Sequence, residues 1–235
     1  MNKLNAKKIL IVGGSSGIGA ATAQAFAQLG ANVTIASRSQ AKLDLVAKEI
    51  GSDVSTAVLD TTNEVEVDDF FASAGKFDHV VVTAAQTPGG PIRQLALADA
   101  YAAMNSKFWG AYRVARAAKI VEGGSLTLIS GFLSVRPSKT SVLQGAINAA
   151  LEALSRGLAL ELSPVRVNTV SPGLIATPLW SKLADDARQA MFDGAAARLY
   201  VAGGVEGDLA VRTHRLNSVQ LGLVEDGYSN DVVRA

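Results

Sequence analysis

Four glycines, two serines and an isoleucine form the segment GGSSGIG at residues 13–19. Gly13 lets the chain leave a preceding apolar run sharply, and Gly17 and Gly19 remove side chains where backbone must come close to a ligand or a neighbouring strand. A helix that starts near Ile18 aims its unpaired N–H groups and positive dipole end at this turn, an arrangement that stabilises a diphosphate. The hydroxyls of Ser15 and Ser16 add donors. A glycine pattern alone is weak, but this one follows a strand-like run, opens a helix and lies in a βαβ unit of about thirty residues, the context a dinucleotide requires. A carboxylate after the second strand would bind a ribose 2′-hydroxyl and repel a 2′-phosphate. The sequence has Ser37, Arg38 and Ser39 there, with no acid. Arg38 can fork onto a phosphate with hydroxyls beside it, so NADP(H) is expected rather than NAD(H). Asp60 and Thr61 follow the third strand. Asp60 either accepts from the adenine amino group, or this region, with Thr62 and Asn63, caps the next helix.

The elements around these residues are legible as alternating patterns. KILIV (8–12), NVTIA (32–36), STAVL (55–59), HVVVT (79–83), SLTLI (125–129) and VRVNTV (165–170) are apolar or β-branched on successive residues, as in strands covered on both faces. Helical patterns fill 18–29, 40–50, 64–73, 99–119 and 141–162. The alternation predicts an α/β fold, a single-domain, Rossmann-like, doubly wound parallel β-sheet with helices on both faces, spanning 1–235. In the last long helix Ile147, Leu151, Leu154, Leu158 and Leu162 form one face. Ala146, Ala150, Ala153 and Gly157 form a second stripe, for a neighbouring helix or for a subunit interface.

Of the 235 residues, 49 % are hydrophobic and 18 % charged, which marks globular material. A net charge of +1 provides no basic field for a phosphate backbone, so nucleic acid is not an expected partner. The absence of cysteine excludes disulfides and thiolate metal sites and fits a cytoplasmic setting. No metal site is expected, and His79 reads as a strand-entry residue. The N-terminal stretch lacks the pattern of a secretory leader, and no apolar run is long enough to span a bilayer.

The motifs resemble those of the short-chain dehydrogenase/reductases. GGSSGIG is similar to that family's TGxxxGIG turn, with Val12 in place of Thr. Asn105 in MNSKFWG matches the family's helix asparagine. Residues 156–178, RGLALELSPVRVNTVSPGLIATP, resemble the segment after the active-site helix. They include the turn in which Pro172, Gly173, Ile175 and Thr177 would close over a nicotinamide. The family's NNAG reads Thr83-Ala84-Ala85-Gln86, which puts Ala84 and Ala85 beside the cofactor. The resemblance implies a small-molecule substrate, a substrate-covering region at about 173–205, and a homodimer or homotetramer through the 99–119 and 141–162 helices.

The resemblance also exposes losses. The family's YxxxK falls on Gln144 and Asn148, and its serine falls on Gly131, next to Ser130. Hydride transfer to a carbonyl makes an alkoxide that needs a proton. A glutamine cannot supply one near neutral pH, and an asparagine carries no positive charge. Asn105, Gln144, Asn148, Ser130 and Ser141 are the candidate catalytic groups. Ser141 would join Gln144 if the helix began early. Ser134, Lys139, Tyr200 and Tyr228 are weaker substitutes, and Trp180, Leu179, Met191 and Phe192 could line an apolar pocket. The expected function is an NADP(H)-binding oxidoreductase with a non-standard proton donor. The alternatives are an inactive cofactor-binding scaffold, or an isomerase, lyase or cyclase on the same fold.

Overall fold

The computed structural model describes residues 4–51, 54–181 and 183–201. The chain divides into two compact units, 1–170 and 171–235. In the first unit the six strands β1 (Lys8–Val12), β2 (Asn32–Ser37), β3 (Val54–Val58), β4 (Phe77–Val82), β5 (Ile120–Ile129) and β6 (Arg166–Val170) alternate with helices. These are α1 (Gly17–Gln28), α2 (Gln40–Ile50), α3 (Glu64–Ser73), α4 (Leu97–Met104), α5 (Gly110–Ala117) and α6 (Val142–Glu161). A π turn, Asn105–Trp109, joins α4 to α5.

The sheet order is β3-β2-β1-β4-β5-β6, with all neighbours parallel. Strand order reverses between β1 and β4, and in such sheets the crevice outside the carboxyl ends at the reversal is where ligands bind. The glycine turn leaves β1 at that point.

Ile9, Leu10, Ile11 and Val12 are all buried, because helices cover both faces of the central strand. Leu10, Val12, Val80, Val82, Leu126 and Leu128 share one core with Val67 and Phe71 of α3, Val114 of α5 and Leu151 of α6. The alternate residues Ile9, Ile11, Val33 and Ile35 point to the opposite face, with Ala23 and Phe26 of α1 and Leu43 of α2 buried there.

The 99–119 region is not one uniform helix, since the π turn interrupts it. In α6 the large stripe is buried at Ile147 and Leu151 and half-buried at Leu154 and Leu158. The small stripe is not covered by a neighbouring helix among the described residues: Ala146, Ala153 and Gly157 are exposed.

The segment after β3 is a helix start. Asn63 caps α3, accepting from the N–H groups of Val65 and Glu66, and its Nδ2 donates to Glu66 Oε1 at 2.8 Å. Asn63→Ala is expected to lower stability by about 1 kcal/mol, read as an earlier denaturant midpoint with an unchanged slope.

In the second unit Pro178–Trp180 forms a short 3-10 turn and α7 spans Asp185–Val201. Trp180 Nε1 donates to the Ile175 carbonyl at 2.9 Å. Pro172, Gly173 and Thr177 belong to this unit. Tyr228, His214 and the rest of 202–235 lie outside the described residues, as do the side chains of 195–201.

Candidate active site

The glycine turn is locked into the sheet. Gly13 has φ +94°, and a Cβ there would stand 2.5 Å from both Ala84 N and Thr83 Oγ1. A Cβ on Gly19 would overlap the Gly13 carbonyl oxygen and approach Thr83 Oγ1 to 2.6 Å. Thr83 Oγ1 in turn donates toward the carbonyls of Val12 and Gly13, at 3.1 Å each. Thr83, at the first position of the family's NNAG, thus ties the end of β4 to the turn.

Ser16 stands at the N-cap of α1 with no side-chain hydrogen bond to the helix, and the first turn holds no acidic residue. Neither an N-cap side chain nor a first-turn carboxylate therefore neutralises the first-turn N–H groups and the positive helix end. Together with a turn that no side chain could share, they fit the diphosphate of a dinucleotide. Ser15, Gly17 and Ile18 are half-buried along the same turn.

At the end of β2, exposed Arg38 donates to Gln86 Oε1 at 3.0 Å and makes no ion pair among the described residues. Its guanidinium retains its charge for an anion. Ser37 Oγ accepts from Ser39 N at 3.4 Å, while Ser39 Oγ accepts from Lys42 N as the cap of α2. Asp60 Oδ1 accepts from Thr62 N at 2.9 Å and from Thr62 Oγ1 at 2.8 Å. Thr61 is buried; its Oγ1 lies 2.8 Å from where a Cβ on Gly110 would stand, and its carbonyl accepts from Arg113. Asp60 is thus engaged in the turn before α3, and Thr61 anchors α5.

Two of the candidate catalytic residues, Ser130 and Asn148, lie in a hydrogen-bonded network. Asn148, 1 % exposed, accepts at Oδ1 from Lys107 Nζ at 2.6 Å and donates from Nδ2 to the Gly131 carbonyl at 3.2 Å. Lys107 Nζ also donates to the Ser130 carbonyl at 2.8 Å. The single proton of Ser130 Oγ lies within reach of Glu152 Oε1 at 2.7 Å and of the Asn148 carbonyl at 3.1 Å. Asn105 accepts at Oδ1 from Arg113 at 2.9 Å. Gln144 is half-buried and makes no hydrogen bond among the described residues, so its amide is free for a polar ligand.

Lys107 was not visible as a site residue in the motif pattern. Burial pushes its ammonium down to about 8, and the Glu152 carboxylate opposes that shift. The signal was present: Ala103, Lys107, Ala111 and Val114 are spaced 4, 4 and 3, the buried stripe of the helix, with a lysine inside it. A lysine on an apolar stripe is almost never fully buried without partners.

Gly131 and Asn148 are coupled. A Cβ on Gly131 would lie 2.8 Å from Asn148 Nδ2, so the amide fills the space a larger residue at 131 would need. The Gly131 backbone is extended, so the obstacle is space alone. Gly131→Ala is expected to cost roughly 1–3 kcal/mol. Combined with Asn148→Ala it should cost less than the sum of the single changes, measured as a double-mutant cycle in denaturant.

Ser141 precedes α6, which begins at Val142, and stands at its N-cap without a side-chain hydrogen bond to the helix. It lines a cavity of about 250 Å³ with Leu133, Pro137, Gly145 and Ala149. Ser130, 3 % exposed and directed at a carboxylate, is poorly placed to polarise a substrate. Lys139 is exposed. His79 is the third residue of β4, not a strand entry; its Nδ1 lies 2.8 Å from Ser125 Oγ, and burial holds its imidazole below the usual range.

The family described as enoyl-(acyl carrier protein) reductase matches residues 12–205. A short-chain dehydrogenase/reductase from an Acremonium species, ucsE, is 33 % identical over 89 % of this chain and 88 % of its own length. A small-chain dehydrogenase solved in complex with NADPH is 33 % identical, with TM-score 0.67 over 88 % of this chain and 89 % of that one. The MalC reductase/Diels-Alderase from Malbranchea aurantiaca is 26 % identical, with TM-score 0.76 over 94 % of this chain and 93 % of that one. With its glycine turn, its sheet order and these relatives, the chain belongs to the short-chain dehydrogenase/reductase family, whose members bind nicotinamide cofactors.

Proposed function

We propose that the protein is an NADP(H)-dependent oxidoreductase acting on a carbonyl, a hydroxyl or a related group of a small molecule, with a proton source other than residue 144. The observation that carries this reading is the pairing of a locked, uncapped glycine turn with an unneutralised Arg38 at the edge where a 2′-phosphate would lie. The solved relative that holds NADPH supports the same cofactor. Bound there, NADPH would supply the hydride. The chain's own groups have narrower roles. The α1 N-terminus and Arg38 bind phosphates, Gln144 orients a polar substrate group by hydrogen bonding, and Asn148 closes the floor of the site. The proton reaches the nascent alkoxide from solvent or from the substrate itself.

A second reading is favoured by the saturation of the network. Ser130, Asn148 and Lys107 are all bonded to one another, to Glu152 or to backbone, whereas the neutral amide of Gln144 makes no hydrogen bond among the described residues and is offered to a ligand. Such a site can hold and orient a substrate for a reaction of unchanged redox level, and MalC is named for both reduction and a Diels–Alder reaction. Loss of the reduced-nicotinamide absorbance with a panel of ketones, enones and imines tests the first reading. Conversion of a substrate to an isomer with no cofactor oxidised would replace it by the second.

A further inference from the structure

An ammonium deep in a fold has to be held by acceptors, and what it holds in return is fixed. Lys107 is 7 % exposed and on the buried stripe of the α4–α5 helix, within the π turn. Its Nζ donates to two oxygens, the Ser130 carbonyl and Asn148 Oδ1. An ammonium only donates and a carbonyl only accepts. Asn148 therefore satisfies both neighbours in one orientation, with Oδ1 on Lys107 and Nδ2 on Gly131. A flipped amide would set NH₂ against NH₃⁺ and oxygen against oxygen. The amide transmits contact without neutralising charge, as an aspartate at 148 would.

We propose that Lys107 supplies the positive charge of this site from the helix that carries Asn105, in place of the charge α6 lacks at Asn148, and that it acts as a positioning residue through the Asn148 amide. This rests on the NADP(H) reading above. Ser130 follows β5, which is separated from β1 by β4 alone, so the carbonyl that holds the cation follows a strand about 10 Å across the sheet from the one that feeds the phosphate cradle. A fixed cation at that end discriminates between the two redox forms of the cofactor. The reduced ring is neutral and the oxidised ring carries a positive charge, whereas their phosphates are identical. The Lys107 charge disfavours NADP⁺ relative to NADPH.

The charge is titratable within reach of experiment. Burial lowers Lys107 to about 8, against Glu152 on α6. Of the other charged groups on the packed elements, Arg113 on α5 is held by Asn105 and Thr61, Arg116 is exposed and paired with Glu64 and Asp68, and Asp99 on α4 is exposed. The end of β5 contributes only backbone carbonyls and the Ser130 hydroxyl.

The test is calorimetric affinity for NADP⁺ and for NADPH on the full chain between pH 7 and pH 9.5. The ratio Kd(NADP⁺)/Kd(NADPH) is expected to fall at least about threefold as pH rises through the Lys107 titration. Lys107→Arg cannot lose its proton in this range, so it should keep the neutral-pH ratio throughout. Lys107→Met should show the low ratio at every pH. If Lys107→Met does not fold, native chain and Lys107→Arg still decide the matter. A native ratio that does not change with pH, with both forms binding, overturns the proposal and leaves the cofactor reading intact. Failure of both forms to bind overturns the cofactor reading and the proposal with it.

Discussion

Gly19→Ala is expected to reduce NADPH affinity by two orders of magnitude or more. The added methyl would meet the Gly13 carbonyl and Thr83 Oγ1, so α1 has to move away from the turn. Thr83 cannot yield easily, because its hydroxyl is bound to the carbonyls of Val12 and Gly13. Moving α1 takes its first-turn N–H groups away from a bound diphosphate. Hydrogen bonds to a charged group contribute about 1.5–3 kcal/mol each, so losing two reaches the stated loss. Fluorescence titration with NADPH reads the affinity, and far-ultraviolet circular dichroism confirms that the fold survives. Affinity within a few-fold of native would mean that the cofactor does not use this turn.

Arg38→Glu separates the two cofactors. The guanidinium faces Gln86, a neutral partner, and no carboxylate among the described residues pairs with it. The substitution removes a charge-assisted fork on a 2′-phosphate and adds like-charge repulsion. NADPH should weaken by about a hundredfold or more, and NADH, with a 2′-hydroxyl, by less than about threefold. Isothermal titration with each cofactor gives both numbers from one preparation. Equal losses would place Arg38 away from the 2′ position.

The fold was legible because its signals are local. Successive β-branched and apolar residues mark strands buried on both faces, and the helices between them carry their own periodicity. Lys8–Val12, Gln40–Ile50 and Glu64–Ser73 read in the sequence with the bounds they have in the structure. The glycine turn was legible for the same reason, since strand, turn and helix are contiguous.

The candidate catalytic region was less so. Its absences, Gln144, Asn148 and Gly131, could be counted along the chain, but what fills them depends on contacts between distant elements. Asn148 meets Lys107 across 41 residues and Gly131 across 17. Asn148 alone reads as a lost charge. With Lys107 beneath it, the charge is present on a different helix. The spacing of Ala103, Lys107, Ala111 and Val114 was the available clue, and it is masked by the π turn at Asn105–Trp109, which breaks the run in two. Asp60 shows the reverse case: two roles were open, and the bonds to Thr62 show it engaged in the turn before α3.

Titration of the native chain with NADPH and then with NADH, followed by calorimetry, tests most directly whether the cofactor cradle persists beside a rebuilt catalytic floor. Saturable heat with one NADPH per chain, and clearly weaker binding of NADH, is the predicted result. No heat with NADPH at millimolar concentration would contradict it.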